Sequence, residues 1–169
     1  LSTHETAPWQ SAVRTPRNNL RTALTSFIGR EKEVADVFAY VTNPATRLIT
    51  LIGPPGIGKT RLSLAVAHEA LTLFNDGVFL VELAPIESAH QVPHAIVHAL
   101  GLVEAPGIPS TERLQDGIGN KHMLIVLDNI EHLLDTIAGL ASDLLSACPR
   151  LTILTTTQSR SEEHTSELQ

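Results

Sequence analysis

Arg47-Leu48-Ile49-Thr50-Leu51-Ile52-Gly53-Pro54-Pro55-Gly56-Ile57-Gly58-Lys59-Thr60 decides how this chain is read. A short apolar run enters a glycine-rich loop, and a helical pattern leaves it. Gly53, Gly58, Lys59 and Thr60 match G-x-x-x-x-G-K-[ST], the phosphate-binding loop. At ordinary residue frequencies chance gives such a match in roughly 0.5% of chains this long. Context strengthens it further. Leu48 to Ile52 reads as a buried strand, and Leu62, Ala65, Val66 and Leu73 form a helical stripe.

The residue types suit the chemistry. A triphosphate concentrates negative charge and acceptor oxygens. Backbone N–H groups of such a loop and of the first helical turn converge on one concavity that can surround it. Side chains would block that approach, hence Gly53, Gly56 and Gly58. Pro54 and Pro55 lack N–H groups, so the donors are expected from Ile57 onward, with the prolines stiffening the entry. Lys59 is expected on the β- and γ-phosphates and the Thr60 hydroxyl on Mg²⁺, a cation that favours oxygen ligands.

Working outward, Val78 to Leu83 is a second apolar run, and Met123 to Leu127 a third that ends in Asp128. An apolar strand ending in Asp is the Walker B pattern, weak alone but informative after a phosphate-binding loop. Asp128 is expected to meet Mg²⁺ opposite Thr60. Ile130, Leu133, Leu134, Ile137, Leu140, Ala141, Leu144 and Leu145 give a long helical stripe that Cys148-Pro149 ends. Leu151 to Thr155 is the fourth strand, and Thr155-Thr156-Thr157-Gln158 leaves its carboxyl end. Between these strands lie a helix over about Gln91 to Leu100 and a short one that Ser110 is placed to cap. Alternating strands and helices imply an α/β fold with a parallel sheet and right-handed crossovers. Ligands of such sheets bind beyond the carboxyl ends of the strands, where Gly53, Asp128 and Thr156 all fall.

Composition bounds the rest. The chain has 169 residues, 43% of them apolar, which suffices for one domain with a core. No apolar run reaches the length of a membrane span. The net charge is −6 without a basic stripe, which argues against direct nucleic-acid contact by this segment. One cysteine, Cys148, fits a reducing cytoplasm, and its place near the end of an apolar helix points to burial. His90, His94 and His98 have helical spacing, but no acid or cysteine completes a metal ligand set; the bland reading is a solvated face. Residues 1–23, with Pro8, Pro16 and Trp9, read as a poorly ordered linker, 24–159 as the nucleotide-binding domain. Residues 160–169 resemble the translation of a sequencing adapter and are set aside as an artefact. The chain reads as cut from something longer.

Four segments in order carry a family resemblance: Thr25-Ser-Phe-Ile-Gly-Arg-Glu-Lys-Glu33, the loop Gly53 to Thr60 with Arg61-Leu62, Val78-Phe-Leu-Val-Glu-Leu-Ala-Pro85 and Leu127-Asp-Asn-Ile-Glu-His-Leu-Leu134. The set resembles the nucleotide-binding domain of bacterial STAND (NB-ARC-like) ATPases of LuxR/SARP-type transcriptional regulators. The resemblance implies a three-layer P-loop NTPase fold with strand order 1-4-3-2, interrupted after the fourth core strand. It implies an ATP- or ADP-binding switch with Mg²⁺, Ile28, Gly29 and Arg30 against the adenine, and Thr156 and Thr157 in a γ-phosphate sensor. It also implies winged-helix, helical-repeat and DNA-binding domains elsewhere in the parent chain, and nucleotide-dependent self-association.

Two departures bear on catalysis. Asn129 stands where many related ATPases place a second acid, leaving Glu131 as the nearest candidate base. Gln158 stands where an arginine is common. Both lead to the expectation of slow or absent hydrolysis by this segment. The rival readings are a non-catalytic module that holds ADP and, ranked last because no arginine-rich lid is visible, a small-molecule P-loop kinase.

Overall fold

In the computed structural model the described residues are 17–22 and 29–158. Ile28, Trp9 and the segments 1–16 and 160–169 lie outside them. The elements run α1 (Glu31–Val41), β1 (Leu48–Gly53), α2 (Lys59–Ala70), β2 (Gly77–Glu82), α3 (Val92–Ala99), α4 (Ser110–Ile118), β3 (Met123–Asp128), α5 (Leu134–Ala147) and β4 (Leu151–Gln158). The sheet is parallel with order β1-β4-β3-β2, the order that the family resemblance implies.

Strand side chains alternate between faces, so parity assigns each layer. Val78 and Leu80 of β2, Leu124 and Val126 of β3 and Leu154 of β4 pack with Leu62, Val66, Ala67 and Ala70 of α2 and Val34 and Val41 of α1. The odd-numbered positions Phe79, Val81, Met123, Ile125, Leu127, Leu151 and Ile153 meet α3, α4 and α5 through Ile96, Leu114, Ile137 and Leu144. Helices on both faces explain why β2 and β3 read as near-continuous apolar runs. The same parity carries Asp128 and Thr156 to the α2 side, and this is what builds the site.

Several boundaries differ from the sequence expectation. α5 begins at Leu134, not Ile130, because Asn129 takes a left-handed φ of 69° and Ile130 N–H donates to the Thr156 carbonyl at 3.0 Å. Ile130 and Leu133 are nevertheless buried, so their apolar signal came from a packed turn. Ser110 is the first helical residue of α4 and makes no capping hydrogen bond; Pro109 precedes it. Pro93 sits in the first turn of α3, where a missing N–H costs nothing. β4 continues to Gln158 rather than stopping at Thr155.

Two tethers were not visible in the sequence. The Arg47 guanidinium donates to the carbonyls of Leu145, Cys148 and Leu151, at 2.8, 2.5 and 3.2 Å, and so satisfies the C-terminal end of α5 from the start of β1. Residues 17–22, assigned from sequence to the linker, lie along the β2 edge. The Asn19 amide donates to Leu80 O at 2.8 Å and accepts Leu80 N–H at 2.7 Å, imitating a strand partner. Val78 N–H donates to Arg17 O, and Arg21 pairs with Glu82. Cys148 is buried, and burial pushes its thiol above the usual range.

β1 is treated differently. Among the described residues nothing pairs with its outer edge, and Leu48 and Ile52 are 47% and 65% exposed. Apolar, unpaired edges promote association. This chain is therefore predicted to self-associate with rising concentration in sedimentation velocity, and Leu48→Lys to reduce that association. A wild-type chain monomeric throughout would contradict the prediction.

Candidate functional site

The loop between β1 and α2 needs two left-handed residues, and Gly56 (φ 82°) and Gly58 (φ 90°) supply them. A Cβ built at either would meet nothing within 4 Å, so the loop encloses open space rather than packed side chains. Gly58 precedes α2 without a side-chain cap, and the first turn of this 12-residue helix carries no acid. Its N-terminal amides and dipole thus favour an anion at the loop mouth. Lys59 reaches back across that mouth, donating to the Gly53 and Pro54 carbonyls at 2.8 Å each. Gly53 is close to the Ile57 side chain, which a Cβ there would meet at 2.6 Å.

Thr60 follows on the first turn of α2. Its hydroxyl lies 2.9 Å from both carboxylate oxygens of Asp128, which is 7% exposed at the end of β3. A second hydroxyl, from Thr156 on β4, donates to the same carboxylate at 2.5 Å and accepts the Asn129 N–H at 2.9 Å. The Asn129 side chain faces the Glu131 carboxylate; assigning the amide so that its nitrogen rather than its oxygen is on that side makes it a donor, 2.5 and 3.2 Å from the two oxygens. Glu131 is half-buried. His132 Nε2 contacts the Ile86 carbonyl at 2.8 Å, fastening the turn after β3 to the loop after β2. The five residues Asp128 to His132 are thus engaged by three different segments.

Most of the residues singled out from sequence converge here. Gly53 to Thr60 and Asp128 form one end of the sheet. Thr156 and Thr157 lie beside the loop entry, with Leu51 paired to Thr156 and Ile52 to Thr157. Thr156 and Thr157 are 2% and 5% exposed. Gly29 has a φ of 89° and donates its N–H to Glu31, a bond that lowers the Glu31 carboxyl below its usual range. Arg30 stands at the start of α1, which packs on α2. Arg61 is exposed on α2. His90, His94 and His98 do not converge: His90 contacts the Ser88 hydroxyl and His94 pairs with Glu104. Sequence reasoning missed the target of Thr156. Parity with Leu154, two residues earlier on the α2 face, was the available signal.

The donor set suits a hard divalent cation beside a phosphate: a hydroxyl and a carboxylate facing each other at the edge of an amide-lined loop. Thr60 and Asp128 would hold such an ion, and Lys59 with the loop amides would hold the phosphate.

This sheet order, loop and helix define the P-loop ATPase fold. A structure of Drosophila ORC bound to DNA shares it, with a TM-score of 0.56, 20% identity, and coverage of 79% of this chain and 38% of that one. A family model described as AAA domain matches residues 44–162, and the chain belongs to that family. Its fold implies a nucleotide and typically Mg²⁺. Among curated proteins it is similar to an uncharacterized protein of Mycobacterium tuberculosis, 40% identical over 140 residues, which are 83% of this chain and 35% of that protein. It is also similar to a provisionally named HTH-type transcriptional regulator of the same organism, 46% identical over 112 residues, 66% of this chain and 12% of that one. The chain thus spans about a third or less of the length of these relatives. No helix among the described residues is long and apolar enough to cross a membrane.

The loop geometry yields a stability prediction. Gly58→Ala should cost about 1–2 kcal/mol by forcing a Cβ into a left-handed backbone. Gly139→Ala, in the interior of α5 with open space around it, should gain about 0.5–1 kcal/mol. Urea unfolding of both variants checks the sign; a neutral Gly58→Ala would contradict the loop conformation.

Proposed function

We propose that this domain is the nucleotide-binding core of an ATP-operated regulatory switch of the STAND (NB-ARC-like) type, carried within a larger transcriptional regulator. The observation that supports it best is the Thr60–Asp128 contact at the mouth of an uncapped α2, which joins a metal-suited oxygen pair to an anion-suited loop. The similarity to an HTH-type regulator, of which this chain spans only 12%, supports the wider setting of DNA-binding and helical-repeat domains. The acidic charge of this segment supports a reading in which DNA contact falls to those other parts.

In this reading ATP or ADP is the ligand. The amides from Ile57 onward and Lys59 bind the phosphates, the ammonium leaving the Gly53 and Pro54 carbonyls to do so. Mg²⁺, when bound, would supply charge stabilisation to the phosphates. Thr60 and Asp128 hold the ion's side of the site, while Ile28, Gly29 and Arg30 border the base. Glu131, steadied by Asn129, orients the attacking water and receives its proton. With Asn129 in place of a second acid and no arginine at Gln158, turnover is slow, and the switch is read through ATP-for-ADP exchange.

ATP binding by calorimetry tests this. Lys59→Ala removes a charge-assisted contact of about 1.5–3 kcal/mol, so affinity should fall roughly ten- to a hundredfold. Equal binding by both proteins would refute the site.

A further inference from the structure

The resemblance to regulatory ATPases implies that Thr156 touches the γ-phosphate, yet its hydroxyl is already committed on both sides. It accepts the Asn129 N–H at 2.9 Å and donates to Asp128 at 2.5 Å, and the residue is 2% exposed. Its carbonyl accepts Ile130 N–H at 3.0 Å. One residue of β4 therefore holds the three consecutive residues that leave β3. We infer that Thr156 is a positioning residue for the metal-binding carboxylate: it acts on the nucleotide only through Asp128, by fixing the orientation of that side chain toward Thr60. This rests on the reading of Thr60 and Asp128 as the metal pair.

The two hydroxyls on Asp128 are not equivalent. Thr60 belongs to the first turn of α2, and a hydroxyl that ligates a cation no longer donates to the carboxylate in the same way. Thr156 belongs to β4, an inner strand paired with β3 from Met123 with Leu151 to Leu127 with Thr155 and with β1 at Thr156 itself, opposite Leu51. It has no reason to move when a ligand enters. A carboxylate on a cation needs its remaining lone pairs satisfied to keep one orientation, and outer partners of this kind set metal affinity. Asp128, nearly buried, has Thr156 as the donor that persists. Asn129, in its left-handed conformation, depends on the same oxygen for its N–H.

The test compares affinity for a non-hydrolysable ATP analogue, which keeps the γ-phosphate, in saturating Mg²⁺ with that in EDTA, by calorimetry, for wild type, Thr156→Val, Thr156→Ala and Thr156→Ser. The wild type is expected to bind more tightly with Mg²⁺. Thr156→Val, isosteric but without a donor, is expected to lose roughly ten- to a hundredfold of the Mg²⁺-dependent affinity while its affinity in EDTA stays unchanged. Thr156→Ser should restore the wild-type ratio. Thermal melts establish folding, and Thr156→Ala carries the same comparison if the valine variant does not fold. Retention of the full Mg²⁺ enhancement in a hydroxyl-free variant would overturn the inference. So would an equal loss with and without Mg²⁺, the pattern of a direct phosphate contact. A wild type that binds the analogue without any Mg²⁺ enhancement would instead overturn the metal pair, and a wild type that does not bind it would overturn the nucleotide reading; each takes this assignment with it.

Discussion

The site depends on one contact, the meeting of the Thr60 hydroxyl with the Asp128 carboxylate across 68 positions of sequence. Nothing local brings them together. β4 must insert between β1 and β3, so that α2, leaving β1, starts above the end of β3. Parity must then turn Asp128 to the α2 face. A shift of one residue in the register of β3 would send that carboxylate to the opposite face, among Leu114, Ile130 and Leu133. The alternating apolar positions of β3, Leu124 and Val126 against α2 and Met123, Ile125 and Leu127 against α3 to α5, prevent such a slip.

Burying a carboxylate is costly unless its oxygens find donors. Here two threonine hydroxyls from different elements supply them, and no buried side-chain oxygen or nitrogen among the described residues lacks a partner. The threonine-rich end of β4 serves this purpose. Thr155 points to the other face and bonds the Thr50 hydroxyl of β1 at 2.9 Å, while Thr156 serves Asp128. Adjacent residues thus stitch β4 to both of its neighbours.

Much of this was legible in the residues. The glycine pattern gave the loop, the apolar run before Asp128 gave the central strand, and the alternation of elements gave a parallel sheet. What stayed hidden has physical reasons. Ile130 and Leu133 pack in the core from a turn, and apolar periodicity does not separate that from a helix. Arg47 is polar and solitary in sequence, but its carbonyl acceptors come from residues about a hundred positions away. Asn18 and Asn19 look like linker residues because an amide that replaces a strand partner has no pattern of its own. Asn129 read as a missing acid, whereas the fold uses it for a left-handed turn whose N–H bonds the Thr156 hydroxyl.

The central claim is that Asp128 and Thr60 form one half of a metal site completed by nucleotide. Electron paramagnetic resonance of Mn²⁺ titrated with this protein and ADP measures it directly, since bound Mn²⁺ leaves the free-ion signal. The wild type with ADP should deplete that signal, and Asp128→Asn should leave most of it in solution. Equal depletion by Asp128→Asn would contradict the account, because the ion would then be held without the carboxylate around which the sheet is ordered.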